Sequence, residues 1–236
     1  MTRNTLALAS RPLRTTNRRA LVAALSLPFA VAGAAHANVL SNSGFETPTT
    51  TSAANVLNNF PGFQGVWGPE VGTITTAALG VTPAAGSRML GMTTDGLSYT
   101  QTFQSVDVSS FSGLINAGQA QLTAGALMNT NGGYAGAFAV VTVQFFTGAN
   151  YASLIGSSGN GTLTLDSNPT TWESISVSSA IPVGTTWLVY QVAYQNASIG
   201  NNTGFVDDAY LNITQVPAPG ALALLGLAGL AGRRRR

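Results

Sequence analysis

The 236-residue sequence predicts an all-β body, an antiparallel β-sandwich, set between two terminal segments that are not part of the fold. Three observations carry this. Short runs rich in Thr, Val, Ser and aromatic residues recur between Gly/Asn turn clusters. No stretch from Asn38 to Gln215 shows a convincing helical period. Where a run is long, its apolar residues alternate with a period of two, as a strand requires.

Taken in order, "SRMLGM" is followed by "TTDG" and then "SYTQTFQSV". "QAQLTAGALM" is followed by "NTNGG" and then "AFAVVTVQFF". "GTLTL", "WESISV", "TTWLVYQVAY" and "GFVDDAYLNI" complete the set. "DG", "NGG" and "SSGNG" read as turns, with glycine supplying positive φ. In "TWLVYQVAY", Leu188, Tyr190, Val192 and Tyr194 share one face, and Trp187, Val189, Gln191 and Ala193 share the other. Both faces are largely apolar, which predicts a central strand covered on both sides.

The first 37 residues read as an address. Arg3, Arg11, Arg14, Arg18 and Arg19 precede the apolar run "ALVAALSLPFAVAGA", and "AHA" places small residues at Ala35 and Ala37. Basic, apolar and A-x-A segments in that order describe a secretory signal peptide cleaved after Ala37. The paired arginines of "NRRALV" lack most of a twin-arginine motif, so the general secretory machinery is the expected partner.

The tail, 215–236, reads as a second address. Pro217 and Pro219 break regular structure, and Ala221 to Gly232 holds no polar side chain. A helix begun at Val216 spans about 26 Å, and arginine snorkelling supplies part of the remainder of a ~30 Å hydrocarbon core. Arg233, Arg234, Arg235 and Arg236 orient it, because positive flanks stay cytoplasmic. The tail therefore predicts an inner-membrane anchor with the body outside. Proline motif, apolar helix and terminal arginine cluster together resemble the PEP-CTERM sorting signal of Gram-negative bacteria. The resemblance covers Val216 to Arg236 and departs at Ala218, where the motif has glutamate. It implies cleavage by an exosortase-type enzyme and release to the cell surface or an extracellular matrix.

Removing both ends changes the charge. The whole chain is formally +2, but residues 38–214 carry one arginine, Arg88, against all eight acids, a net charge of −7. That surface repels phosphate, so no nucleic-acid partner is expected. The body also lacks histidine, lysine and cysteine. A Ser–His–Asp triad, a Cys–His pair, a Schiff base and a common zinc site are all excluded. Carboxylate chemistry, as in a glycosidase, is what survives. The expectation is a protein that is not an enzyme.

The two ends of the body, "NVLSNSGFE" and "GFVDDAYLNI", resemble the opening and closing strands of jelly-roll carbohydrate-binding modules and related galactose-binding-like domains. "AAGSRMLGM", "YTQTFQSVDVSS" and "IPVGTTWLVYQVAY" are similar to further strands of that family. The resemblance implies a jelly-roll sandwich and a structural Ca²⁺ at one edge. Its matching residues here are Glu46 and Asp207, with Asp208 beside them. Strand alternation puts Asp207 on the face of Ala209 and Leu211, toward the core, where a carboxylate needs a partner. Calcium, with its preference for several oxygens, is one partner; backbone N–H groups are the other.

Sugar platforms need exposed aromatic faces. Phe63 and Trp67 in "NNFPGFQGVWGPE", with Phe60 beside them, Tyr134 in "NTNGGYAG", and Tyr151 are the candidates, against a second reading of Trp67 as a lid over the sandwich end. The leading functional expectation is an exported, transiently anchored, non-enzymatic surface or matrix protein associated with exopolysaccharide or biofilm. The alternatives are a carbohydrate-binding module and a small glycosidase or polysaccharide lyase.

Overall fold

A computed structural model describes residues 38–93, 99–131, 137–195 and 203–216. The signal region with Ala35 and Ala37, Tyr134, Pro217, Pro219 and Arg233 to Arg236 lie outside these residues.

The body is an antiparallel jelly-roll sandwich. Its strands are β1 (Gly68–Pro69), β2 (Gly72–Thr75), β3 (Met89–Thr93), β4 (Tyr99–Asp107), β5 (Ala120–Thr130), β6 (Phe138–Phe146), β7 (Leu154–Thr164), β8 (Glu173–Ala180), β9 (Trp187–Gln195) and β10 (Thr203–Gln215). One sheet has the order β1-β4-β9-β6-β7 and the other β2-β3-β10-β5-β8. Strand β9 is central, as its two apolar faces predict. Leu188, Tyr190, Val192 and Tyr194 enter the main core between the sheets. Trp187 and Val189 are buried on the opposite side, in a second cluster with Phe60, Phe103 and Phe146.

The two buried tyrosines of β9 reach partners with their hydroxyls, whereas the buried hydroxyls of Thr100 and Thr102 on β4 have none. Tyr190 Oη donates to the Gly125 carbonyl at 2.7 Å, which fixes the ring across the two sheets. Burial pushes the Tyr190 phenol well above its ordinary pKa, so it remains a donor.

The sequence reading is corrected at four places. Residues 38–46 form turns rather than an opening strand. Two ladder-like bonds, Val39 N–H to Leu211 O and Ala209 N–H to Ser43 O, still lay this segment beside β10. Two short helices, α1 (Ala53–Asn58) and α2 (Ser112–Asn116), interrupt the β pattern. Isolated helices of five or six residues are unstable, and these are held by the burial of Val56 and Ile115. "SSGNG" is not a turn: it lies within β7, where register shifts against β6 absorb its irregularity. Strands β1 and β2 are absent from the sequence expectation, because "GP" and "GTIT" are too short for alternation to register.

Candidate functional site

Polar side chains gather at two places, of which the sequence singled out the first. The first is the region around Glu46 and Asp207. A register shift between Asp207 and Tyr210 marks a β-bulge in β10, and Asp208 there takes φ +45°. The extra residue breaks the alternation. Val206, Ala209 and Leu211 all face the main core, whereas Asp207 turns to the opposite side of the sheet. The expectation that Asp207 shares its face with Ala209 and Leu211 is thereby corrected.

On that outer side, residues 76–88 fold over Met89 and Phe205, placing Val81 against them. Asp207 is fully buried beneath this segment. Its Oδ2 accepts from Ala84 N at 2.8 Å and Ala85 N at 3.2 Å, and its Oδ1 accepts from Asp208 N at 2.8 Å. Burial raises its pKa above the usual aspartate value, against the opposing pull of those three N–H groups. Glu46, exposed, binds the same segment two residues on. Its Oε1 accepts from Ser87 N at 2.9 Å and Arg88 N at 3.2 Å, and Oε2 from Ser87 Oγ at 2.7 Å. These bonds, led by the Ser87 hydroxyl, lower its pKa. Between the two anchor points Gly86 takes φ +62°, and a β-carbon there would strike the Glu46 carboxylate.

The opening and closing acids therefore do converge, on one loop. Their lone pairs are directed at N–H donors. A donor aimed at the place of a cation disfavours it, and among the described residues no three acidic side chains gather as a metal-binding group. As arranged, the Glu46 and Asp207 carboxylates clamp the backbone of residues 84–88, and a calcium ion held by Glu46, Asp207 and Asp208 would have to exchange for these bonds.

The aromatic candidates separate. Trp67 is wholly buried, so neither face of its indole is a platform; that expectation is corrected. Its Nε1 donates to Asn42 O at 3.0 Å, and its ring packs on Phe45 and Tyr190 at centroid distances of 4.8 and 5.8 Å. An isolated parallel bridge to Thr50 holds its backbone, and β1 follows directly. Phe60 is also buried, and Phe63 is half-buried against the second cluster. Tyr151 is exposed and packs against Phe146. Asp166 and Glu173, the other adjacent acids, shape the β7–β8 turn: Asp166 N–H reaches Glu173 Oε2 at 2.9 Å, and Asp166 Oδ2 accepts from Thr171 Oγ1 at 2.6 Å.

The second place is the outer face of the β1-β4-β9-β6-β7 sheet. Residues 53–63 roof one half of it, over Phe103, Phe146, Trp187 and Val189. Beyond them the same face carries the half-buried Gln101 and Gln191, set among Val140, Thr142 and Ala193, which are buried. Register sets Gln101 opposite Ala193 and Ala193 opposite Val140; the next row is Phe103, Gln191 and Thr142. The small Ala193 lowers the floor between Gln101 and Gln191. Gln191 Nε2 donates to Gln101 Oε1, and Gln101 Nε2 donates to Glu70 Oε1 at 2.6 Å. Each carboxamide carries two N–H groups and a carbonyl, more polar groups than the relay itself uses. Tyr99, exposed at 44 %, stands at the rim in the row of Gln195 and Phe138.

A cavity of about 310 Å³ lies on the outer face of the other sheet, beside β2, β3 and β10. It is lined by threonine hydroxyls and apolar groups, including Leu79 and Phe205, without a charged or amide side chain. Hydroxyl-rich ligands need many hydrogen bonders, and the Glu70–Gln101–Gln191 strip carries more of them than this cavity.

Sequence reasoning placed Gln191 on the strand face shared with Trp187, Val189 and Ala193 but did not assemble the strip. The signal was glutamine at outward positions of two strands. The register that sets Gln101 beside Gln191 comes only from pairing.

No family model matches the chain, and no curated protein matches it. Solved structures of similar fold do. A cyclase from Fischerella sp. TAU, solved in complex with (3Z)-3-(1-methyl-2-pyrrolidinylidene)-3H-indole, is 11 % identical, with 78 % of this chain and 100 % of that chain covered, at a TM-score of 0.51. A CBM61 module in complex with β-1,4-galactotriose is 16 % identical, covering 75 % and 98 %, at 0.48. A CBM22 xylan-binding domain from Paenibacillus barcinonensis is 14 % identical, covering 75 % and 93 %, at 0.44. At such identities the likeness is one of fold.

Proposed function

We propose that the body is a non-catalytic glycan-binding domain of an exported protein, held at the inner membrane by its C-terminal segment before release to the cell surface or matrix. The observation that carries the glycan reading is the Gln191–Gln101–Glu70 relay on the outer sheet face, running out to the exposed Glu70, with exposed Tyr99 at its rim. Sugars present C–H faces and hydroxyls together. Tyrosine and phenylalanine at the rim serve the first, and a carboxamide–carboxylate strip serves the second.

Charge selects the class of glycan. Glu70 stands in the strip, and Arg88 is the only cation of the body. A uronate chain would meet repulsion there with nothing to pair it. A neutral polysaccharide meets none. Exopolysaccharide association and biofilm are the settings this predicts. Export rests on residues 1–37 and anchoring on 216–236; PEP-CTERM-type processing by an exosortase is supported by the proline–apolar–arginine order of that tail. Absence of catalysis is supported by the body's lack of His, Lys and Cys and by the structural engagement of Glu46, Asp166, Glu173 and Asp207.

The test is affinity electrophoresis of residues 38–216 through galactan, xylan, β-glucan and alginate. Retardation is expected by a neutral polymer and not by alginate. Gln191→Ala removes two or three hydrogen bonds without touching the core, and is expected to weaken binding about tenfold. Retardation that is unchanged in both Gln191→Ala and Gln101→Ala would remove the site. Release of reducing ends by the wild type that is lost in Glu70→Gln would move the protein to the glycosidases.

A further inference from the structure

The last described residue, Val216, leaves the sandwich at one defined end. Its N–H bonds to Gln119 O, and Ile181 N–H bonds to Ala120 O beside it. The start of β9 and the ends of β4 and β6 lie at the same end, since Asp107, Trp187 and Phe146 share one row. The loop after β8 reaches the turn after β6, where a β-carbon on Gly184 would touch Thr147.

This end is apolar in an unusual way. Among the described residues, five of the eight exposed large apolar side chains stand here: Tyr151, Leu154, Ile155, Val183 and Val216, with Val183 the most open at 62 %. The other three, Val71, Leu79 and Tyr99, lie toward the opposite end or along the β2 side. Charge is distributed the other way. Of the described acids only Asp107 stands at the exit end, while Asp166 and Glu173 occupy the β7–β8 turn at the far end.

We infer that this exit end is a membrane-contacting surface, seated on the lipid headgroup and upper acyl region while the chain is anchored. The inference rests on the anchor part of the proposed function. Two physical arguments support it. Only residues 217–220 separate Val216 from the apolar run that begins at Ala221, a reach of at most about 18 Å even if fully extended. The body is therefore tethered at the bilayer rather than floating above it. Second, orientation with the exit end down puts apolar Val, Leu and Ile, and amphipathic Tyr151, where such residues partition. It also carries most of the body's negative charge beyond the roughly 8–10 Å over which an anionic surface repels. β10 alone runs about 40 Å, so the far end stands clear of the headgroups. Release of the body by cleavage near the prolines would free the same surface.

The chain contains no cysteine, so single labels are clean. The experiment reconstitutes the full chain in phosphatidylethanolamine/phosphatidylglycerol vesicles containing nitroxide-headgroup lipid. A fluorophore is attached at Val183→Cys, Leu154→Cys or Thr170→Cys, all exposed positions. Quenching at positions 183 and 154 is expected to exceed that at position 170, on the far turn, by about threefold or more. Equal quenching at all three, or greater quenching at position 170, overturns the inference while leaving the anchor intact. Ready cross-linking of Val183→Cys to a second copy, without lipid quenching, overturns it in favour of self-association. A chain that fails to float with the vesicles removes the anchor reading, and this inference falls with it.

Discussion

Trp67→Ala is expected to lower the unfolding free energy of the body by about 3–5 kcal/mol, the range for deleting a large buried aromatic. The loss is more than volume. The Trp67 indole N–H is the partner of the Asn42 carbonyl, and its ring supports Phe45. Asn42 and Phe45 both hold positive φ, 46° and 56°, which is costly for a phenylalanine and persists only under packing. Asn42 helps by exchanging two side-chain bonds with Thr47. Trp67→Phe keeps most of the packing but leaves the Asn42 carbonyl without this donor, for an expected loss of about 1–3 kcal/mol. Urea denaturation of the two variants checks the ordering. The glycan affinity of whatever fraction remains folded should equal that of wild type. A stable Trp67→Ala variant with lost glycan binding would restore the platform reading and refute the burial account.

Asp207→Ala is expected to cost about 3–5 kcal/mol, because three N–H groups lose a buried acceptor together. The segment 76–88 should then become the first site of proteolysis. Asp207→Asn retains one carbonyl acceptor and is expected to cost less. The two variants also separate the pH terms. Burial raises the folded pKa of Asp207 above its unfolded value, so the folded state holds that proton more tightly. Its contribution to stability is full below the ordinary aspartate pKa and declines as pH rises through the folded value. Asp207→Asn should remove that decline. Glu46 runs the other way: its lowered pKa gives stability present above the ordinary glutamate value and lost as pH falls through the folded one. Melting curves between pH 3 and pH 7 read both slopes.

The same variants decide the question of calcium. With Asp207 and Glu46 engaged by N–H donors, addition of calcium to chelator-treated body is expected to leave the melting temperature unchanged. A ligand that binds only the native state stabilises by mass action. A calcium-dependent rise that disappears in Asp207→Ala would show that the carboxylates exchange their donors for the ion, and would establish the cation site at Glu46, Asp207 and Asp208.

Eight of the ten strands were legible because their side chains alternate over five or more residues, and alternation is a local property. The centrality of β9 was legible for the same reason: Leu188, Tyr190, Val192 and Tyr194 on one side and Trp187 and Val189 on the other leave no wet face at its start. The sequence alone also determined which catalytic chemistries are unavailable, since absent residue types cannot be supplied by folding. It brought Glu46 and Asp207 to notice through their flanking strands.

Only the tertiary structure decided what those residues do. The bulge at Asp208 turns Asp207 away from the core, and one inserted residue leaves no mark in an otherwise regular β pattern. Whether two carboxylates meet an ion or a loop depends on where residues 84–88 pass, and Ser87 lies 41 residues from Glu46 while Ala84 lies 123 from Asp207. Trp67 has the loop-like context of a surface aromatic, "FQGVWGPE", yet it is wholly buried, its backbone bridged to Thr50 just before β1. The strip of Glu70, Gln101 and Gln191 exists only because antiparallel register places three distant chain segments in adjoining rows. Local composition sets the face on which a side chain lies; long-range pairing sets its neighbours, and the candidate site is made of neighbours.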